Sequence, residues 1–285
     1  MPRPGLLVAL AMLLGLAATA GCTTMDADAG SPPAVARPVD TLRVKLASGA
    51  ADVDVDVYWP DRVAPAPLVI VAHGFMRQRR HMSGWGKHLA RAGFVVAIPD
   101  LPASSNHVRN GRFIDELRVH LSREEPGRRR VDPARVGYLG FSAGGLASLL
   151  AAADADASAV TIWIGLDPVD RDGLGAKAAP RVSARTLVLS AEPSACNAQG
   201  NARDLIAALP DPEHHRVSGA VHVDAEWPTS ALAEAMCGRS RDAQRDEFRR
   251  RATEALRAAL CTPDCDRAPE SQSVRSAAIG SRSAA

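Results

Sequence analysis

The first segments with a clear pattern alternate apolar and polar residues. Thr41 to Leu46 and Val53 to Trp59 put apolar side chains at every second position, which predicts an antiparallel pair with one wet face. Pro67 to Ala72 (PLVIVA) is apolar without a break, as a strand covered on both faces must be. Trp85 to Ala92 predicts a helix stopped by Gly93, and Phe94 to Ile98 another buried strand, so strand, helix and strand make a right-handed parallel unit. Helical spacing returns at Phe113, Leu117 and Leu121. Further strands are predicted at Arg135 to Leu139, Val160 to Leu166 and Thr186 to Leu189, with a short one near His215 to Val217. An Ala/Leu-rich run after Gly145 and the segment Asn201 to Leu209 read as helices. From Asp242 to Leu260, the residues Phe248, Ala252, Ala255, Leu256, Ala259 and Leu260 give a closing amphipathic helix. This alternation predicts one α/β domain over residues 40–262, with a mostly parallel central sheet and helices on both faces.

The flanks read differently. Arg3 precedes an apolar run from Leu6 to Ala20 and then small residues, too short to span a bilayer and shaped like a signal peptide over residues 1–21. Thr19-Ala20-Gly21-Cys22 resembles a bacterial lipobox with threonine where leucine is usual; cleavage after Ala18-Thr19-Ala20 is the competing reading. Residues 22–39 form a linker, TTMDADAGSPPAVARP after the cysteine, and Cys22 is a candidate for lipidation. The expectation is export, as an envelope lipoprotein or as a periplasmic or secreted form, with membrane contact only through that anchor. Residues 263–285 offer almost nothing to bury and read as a disordered tail.

Setting Cys22 aside leaves Cys196, Cys237, Cys261 and Cys265, which in an oxidising compartment suggest two bridges. Proximity joins Cys261 to Cys265, which leaves Cys196 with Cys237 across the segment that holds His222. With 285 residues, 46% of them hydrophobic, the chain can bury one large core. Net charge is only +2, and basic residues such as Arg77, Arg79, Arg80 and the Arg128 to Arg130 run have few aromatics among them, so no nucleic-acid partner is expected. No C-x-x-C pair and no H-E-x-x-H occurs, and neither a metal nor a cofactor is expected.

Candidate chemistry centres on Gly140-Phe141-Ser142-Ala143-Gly144, a G-x-S-x-G between a predicted strand and a predicted helix. A serine in so tight a corner adopts strained backbone angles. Glycine two positions before and after removes the Cβ atoms that would collide, and the hydroxyl is pushed clear of the sheet. Ser142 is therefore the expected nucleophile and the N–H of Ala143 an oxyanion donor. The hydroxyl needs a histidine to take its proton and an acid to orient that histidine, in the order serine, acid, histidine. Of His214, His215 and His222, the last lies beyond the short strand in a loop able to reach the corner. Asp167, at the carboxyl end of the strand after the nucleophile unit, is the expected acid, with Asp170 and Glu192 as alternatives. Phe75, after the strand bearing His73-Gly74, is placed to give the second oxyanion N–H, while the His73 imidazole reads as structural. Phe75, Met76, Trp85, Val169 and Trp227 are candidates to line an apolar pocket, and Trp163 reads as core.

Taken together, these residues resemble the α/β-hydrolase superfamily over about Thr41 to Leu260. Within it they resemble the dienelactone-hydrolase-related branch of chlorophyllases and platelet-activating-factor acetylhydrolases. The marks are HGF at 73 to 75, GFSAGG at 140 to 145, Gly165-Leu166-Asp167-Pro168-Val169-Asp170, and Cys196 with Gly200-Asn201. In that branch the aspartate matching Asp167 is the triad acid, so the resemblance implies the same role here. The chain departs from it at Phe141, where histidine is usual, and at Ala143, where chlorophyllases have arginine. A likeness to bacterial cutinases and polyester hydrolases is visible in the general layout and ends at the acid, which in those enzymes follows a later strand. The resemblance implies a serine hydrolase acting on a small-molecule carboxylic ester. The same residues would also serve a peptidase or amidase, and the fold without chemistry would be an envelope binding module, whose mark would be a lost triad member.

Overall fold

A computed structural model describes residues 39–49, 51–61 and 65–261. The proposed signal peptide, Cys22, the linker up to residue 38, Cys265 and the tail lie outside the described residues. One sheet of eight strands organises the domain: β1 (Val39–Val44), β2 (Val53–Tyr58), β3 (Ala66–Ala72), β4 (Val95–Pro99), β5 (Val131–Phe141), β6 (Ile162–Leu166), β7 (Arg185–Ser190) and β8 (Glu213–Arg216). Their spatial order is β1-β2-β4-β3-β5-β6-β7-β8. The two contacts of β2 are antiparallel and every other pairing is parallel. This is the mostly parallel α/β-hydrolase sheet expected from the sequence.

Periodicity explains the layering. On β3, Leu68, Ile70 and Ala72 join a core beneath α2 (His107–Arg123) and α3 (Ala143–Asp154), built with Phe113, Leu117 and Leu146. Val69 and Val71 face the other way, into a core closed by α1 (Ser83–Arg91) with Trp85 and Leu89 and by the last helix (Asp242–Leu260) with Phe248 and Leu256. A strand covered twice can carry no polar side chain, which is why PLVIVA is unbroken.

Between these elements lie three short helices, α4 (Leu174–Ala178), α5 (Arg203–Ala208) and α6 (Ala231–Cys237), the last helix being α7; no period announces α4 or α6. Of the three, α5 falls inside the helix expected from Asn201 to Leu209. β5 is longer than the expected Arg135 to Leu139, because Val131 and Asp132 pair with Ala66 and Pro67 ahead of a register shift. No described helix is long and apolar enough to cross a membrane.

Cys196 and Cys237 form a disulfide that ties the loop after β7 to the end of α6. The bridge closes a loop with a sequence separation of 41 and restricts the unfolded chain. Converting both cysteines to serine is expected to lower stability by about 2 to 4 kcal/mol, roughly 5 to 15 °C in Tm by differential scanning calorimetry.

Candidate active site

Ser142 sits between β5 and α3 with φ +55° and ψ −121°. Packing demands both flanking glycines: a Cβ on Gly140 would stand 2.3 Å from the Gly144 carbonyl oxygen, and one on Gly144 would stand 2.4 Å from those of Ala72 and His73. The corner is tied to its neighbour strand, since Ser142 N–H donates to the Leu166 carbonyl at 3.0 Å and Val169 N–H donates to the Ser142 carbonyl at 3.2 Å.

Residues 80 positions apart meet here. The Ser142 Oγ lies 3.0 Å from His222 Nε2, and His222 Nδ1 lies 2.6 Å from Asp167 Oδ2. All three side chains are buried. Because Nδ1–H donates to the carboxylate, Nε2 keeps its lone pair for the serine hydroxyl. Asp167 itself takes a positive φ of 43°, and its Oδ1 accepts the Ala191 N–H at 3.0 Å.

Asn197 completes this carboxylate, and the sequence reading missed it. Its Nδ2 donates to Asp167 Oδ2 at 3.0 Å and to the Glu192 carbonyl at 2.9 Å, while its Oδ1 accepts from Ser194 and Gly200 N–H groups. The only signal in the sequence is its place beside Cys196 in a loop that ends in Gly200. Phe141, which stands where the resembled families have histidine, places its ring 4.7 Å from the His222 ring, centroid to centroid.

The alternatives are occupied elsewhere. Asp170 accepts the N–H groups of Gly175 and Ala176 and so caps α4, and Asn201 braces its backbone. Glu192 is half exposed and bonds Gly219 N–H and Arg216. His214 pairs with Ser190 and His215 with Glu213. His73 is held at both nitrogens: Nδ1–H donates to the Gly74 carbonyl, and Nε2 accepts the Leu101 N–H. Burial holds its pKa below the usual histidine value, which suits this neutral, bracing role.

Ser142 opens onto a cleft of about 200 Å³ that is also lined by Phe75, Ala143, Val169, His107 and Arg171. The N–H groups of Phe75 and Ala143 donate to no group among the described residues. Met76, largely exposed, borders an adjoining recess of about 90 Å³. Trp227 and Trp85 line neither, and their expected places are corrected here. Trp227 packs flat against Gly84 and under the Arg249 guanidinium, and Trp85 is core, its indole N–H donating to the Ala225 carbonyl. Indole rings suit core and cleft equally, and the pattern alone does not separate them. Trp163 is core, bonded to Ser148.

His107, at the start of α2, is a further cleft residue that the sequence reading passed over. Its Nδ1 has no hydrogen-bond partner, and its pKa is lowered by burial first and by Arg171 second. A second carboxyl, Glu226, is fully buried four residues after His222. Burial pushes its pKa up, against the opposing pull of Arg77, Thr229 and His222. A carboxyl whose folded pKa lies above its unfolded value costs stability once ionised, and that cost vanishes as pH falls through the folded pKa. The Tm difference between Glu226→Gln and the parent is therefore expected to move in the variant's favour from about pH 5 to about pH 8. Among the described residues, no group of three or more His, Cys, Asp or Glu is placed to hold a metal ion.

No curated protein matches this chain. Among solved structures it is similar to a dienelactone hydrolase from Anabaena variabilis, 19% identical, with a TM-score of 0.60 over 78% of this chain and 99% of that one. That likeness establishes a common fold. A family model described as PET hydrolase-like matches residues 26–226, a span that holds Ser142, Asp167 and His222. Within the superfamily indicated by the motifs, the match thus falls on the polyester-hydrolase likeness carried in the general layout. The chain belongs to the PET hydrolase-like family of α/β-hydrolases.

Proposed function

We propose that this protein is an exported serine hydrolase that cleaves carboxylic esters through an acyl-enzyme. The observation that carries this reading is the continuous line from Ser142 Oγ through His222 to Asp167, at 3.0 and 2.6 Å. Ser142 Oγ attacks the ester carbonyl carbon as its proton passes to His222 Nε2, and Asp167 holds the ring and stabilises the imidazolium. The carbonyl oxygen, now negative, accepts the N–H groups of Phe75 and Ala143. His222 then protonates the leaving alcohol, and water repeats the sequence to free the acid.

The ester bond is supported by the family, which is named for hydrolysis of a polyester, and by the neighbour, named for hydrolysis of a lactone. Export is supported by the N-terminal sequence and by the Cys196–Cys237 bridge. The cleft is small and apolar at Phe75 and Val169, and it suits a short acyl group.

Hydrolysis of p-nitrophenyl esters, set beside aminoacyl anilides, tests the bond class, and a fluorophosphonate probe tests the nucleophile. Ester turnover with labelling of the parent but not of Ser142→Ala is expected. Anilide turnover exceeding ester turnover would reassign the protein as an amidase, and an unlabelled parent would remove the serine mechanism.

A further inference from the structure

The segment that follows His222 is stitched to the segment that follows β3, and a buried charge lies on the seam. The Trp85 indole N–H donates to the Ala225 carbonyl at 2.9 Å, Trp227 N–H donates to the His81 carbonyl at 3.0 Å, and Gly84 N–H donates to the Trp227 carbonyl at 2.9 Å. The contact is close enough that a Cβ on Gly84 would stand 2.2 Å from the Trp227 ring. Between these bonds, Glu226 Oε1 lies 2.8 Å from Arg77 Nε, charge to charge and without an aligned hydrogen bond, while Oε2 accepts the Thr229 hydroxyl at 3.0 Å.

Packing alone does not call for a carboxylate there. A glutamine would fill the same space and accept from Thr229, without the cost of burying a charge whose ion pair carries no aligned hydrogen bond. The charge has its use at the far end of the pair. Arg77 is two residues beyond Phe75, in a turn where Met76 takes a φ of +54° and the one backbone bond is a 3.2 Å contact from Arg77 N–H to the Gly74 carbonyl. A non-glycine residue held in the left-handed region relaxes unless its surroundings fix it. Glu226 is attached to the loop that carries the base, and Arg77 to the loop that carries a free N–H at the cleft.

We propose that Glu226 is a positioning residue: through Arg77 it fixes the Phe75 N–H relative to the His222 ring, so that oxyanion donor and base converge on one carbonyl. This inference rests on the ester-hydrolase reading above. Its effect falls on the rate of the chemical step, because misplacing a donor weakens transition-state contacts more than ground-state binding.

The test is Glu226→Gln, Arg77→Met and the double variant, assayed on p-nitrophenyl butyrate with kcat normalised to fluorophosphonate-labelled sites. Each single change is expected to lower kcat about 10-fold or more with KM unchanged, and to weaken a boronic acid inhibitor, which becomes tetrahedral on Ser142, by a similar factor. The double variant is expected to lose no more than the worse single one, as for two residues acting as a unit. A kcat in Glu226→Gln equal to the parent's, or losses that multiply in the double variant, would overturn the proposal. Should Glu226→Gln fail to fold, Arg77→Met, altered at a partly exposed side chain, decides alone by the same kcat. A parent that is neither labelled nor active defeats the underlying reading instead, and the two failures are thereby told apart.

Discussion

Ser142→Ala is expected to abolish ester hydrolysis, with kcat falling by about 10⁶-fold while the folded state is retained. In the proposed mechanism the serine hydroxyl is the atom that bonds to the carbonyl carbon, and no neighbouring group replaces it; what would remain is the acceleration by the oxyanion donors and by binding, on the order of 10³ over water. Loss of one buried Oγ frees the His222 Nε2 from a 3.0 Å contact and relieves nothing in the backbone, since the strained φ at residue 142 is set by the Gly140 and Gly144 packing around it. The measurement is steady-state turnover of p-nitrophenyl butyrate with circular dichroism as the control for folding. Turnover within 100-fold of the parent would place the nucleophile elsewhere.

The second large effect separates the carboxyls. Asp167→Asn is expected to lower kcat by roughly 10⁴-fold, because an amide N–H donating to His222 Nδ1 favours the wrong tautomer and leaves a hydrogen on Nε2 where the lone pair would face the serine. Asp170→Asn weakens the cap of α4, a change of about 1 kcal/mol in stability, and leaves turnover within a few-fold. Glu192→Gln alters a half-exposed contact and leaves both nearly unchanged. Kinetics on the three variants in one ester assay check the ranking. If Glu192→Gln fell furthest, the acid would follow β7 and not β6.

That choice shows where sequence stops. Long elements are legible because a period repeated several times outweighs local noise: the period of the closing helix marks the same ends, Asp242 and Leu260, that the structure gives it. The nucleophile corner is legible because close backbone approach at Gly140 and Gly144 leaves only glycine possible there. Asp167 is legible by its place at the carboxyl end of β6; what the sequence does not advertise is the positive φ that this non-glycine residue takes, three residues before Asp170 on the same loop. Asn197 is invisible for another reason: its local bonds to Glu192, Ser194 and Gly200 are those of any loop asparagine, and the one that matters reaches 30 positions back to Asp167. The branch resemblance rested on a few short motifs clustered at the site, whereas the family match weighs residues 26–226 together. Short motifs report local chemistry; length reports descent.

The bonds at the corner have one more consequence. Ser142 N–H is held by Leu166, Asp167 N–H by Leu189, and Val169 N–H by Ser142, so three neighbouring strands meet in a single knot of amides. Releasing any of these amides loosens the carboxyl ends of β5, β6 or β7. Ser142 and Asp167 therefore hold their places until that part of the sheet loosens, and heat or denaturant should displace them and unfold the sheet in one cooperative step.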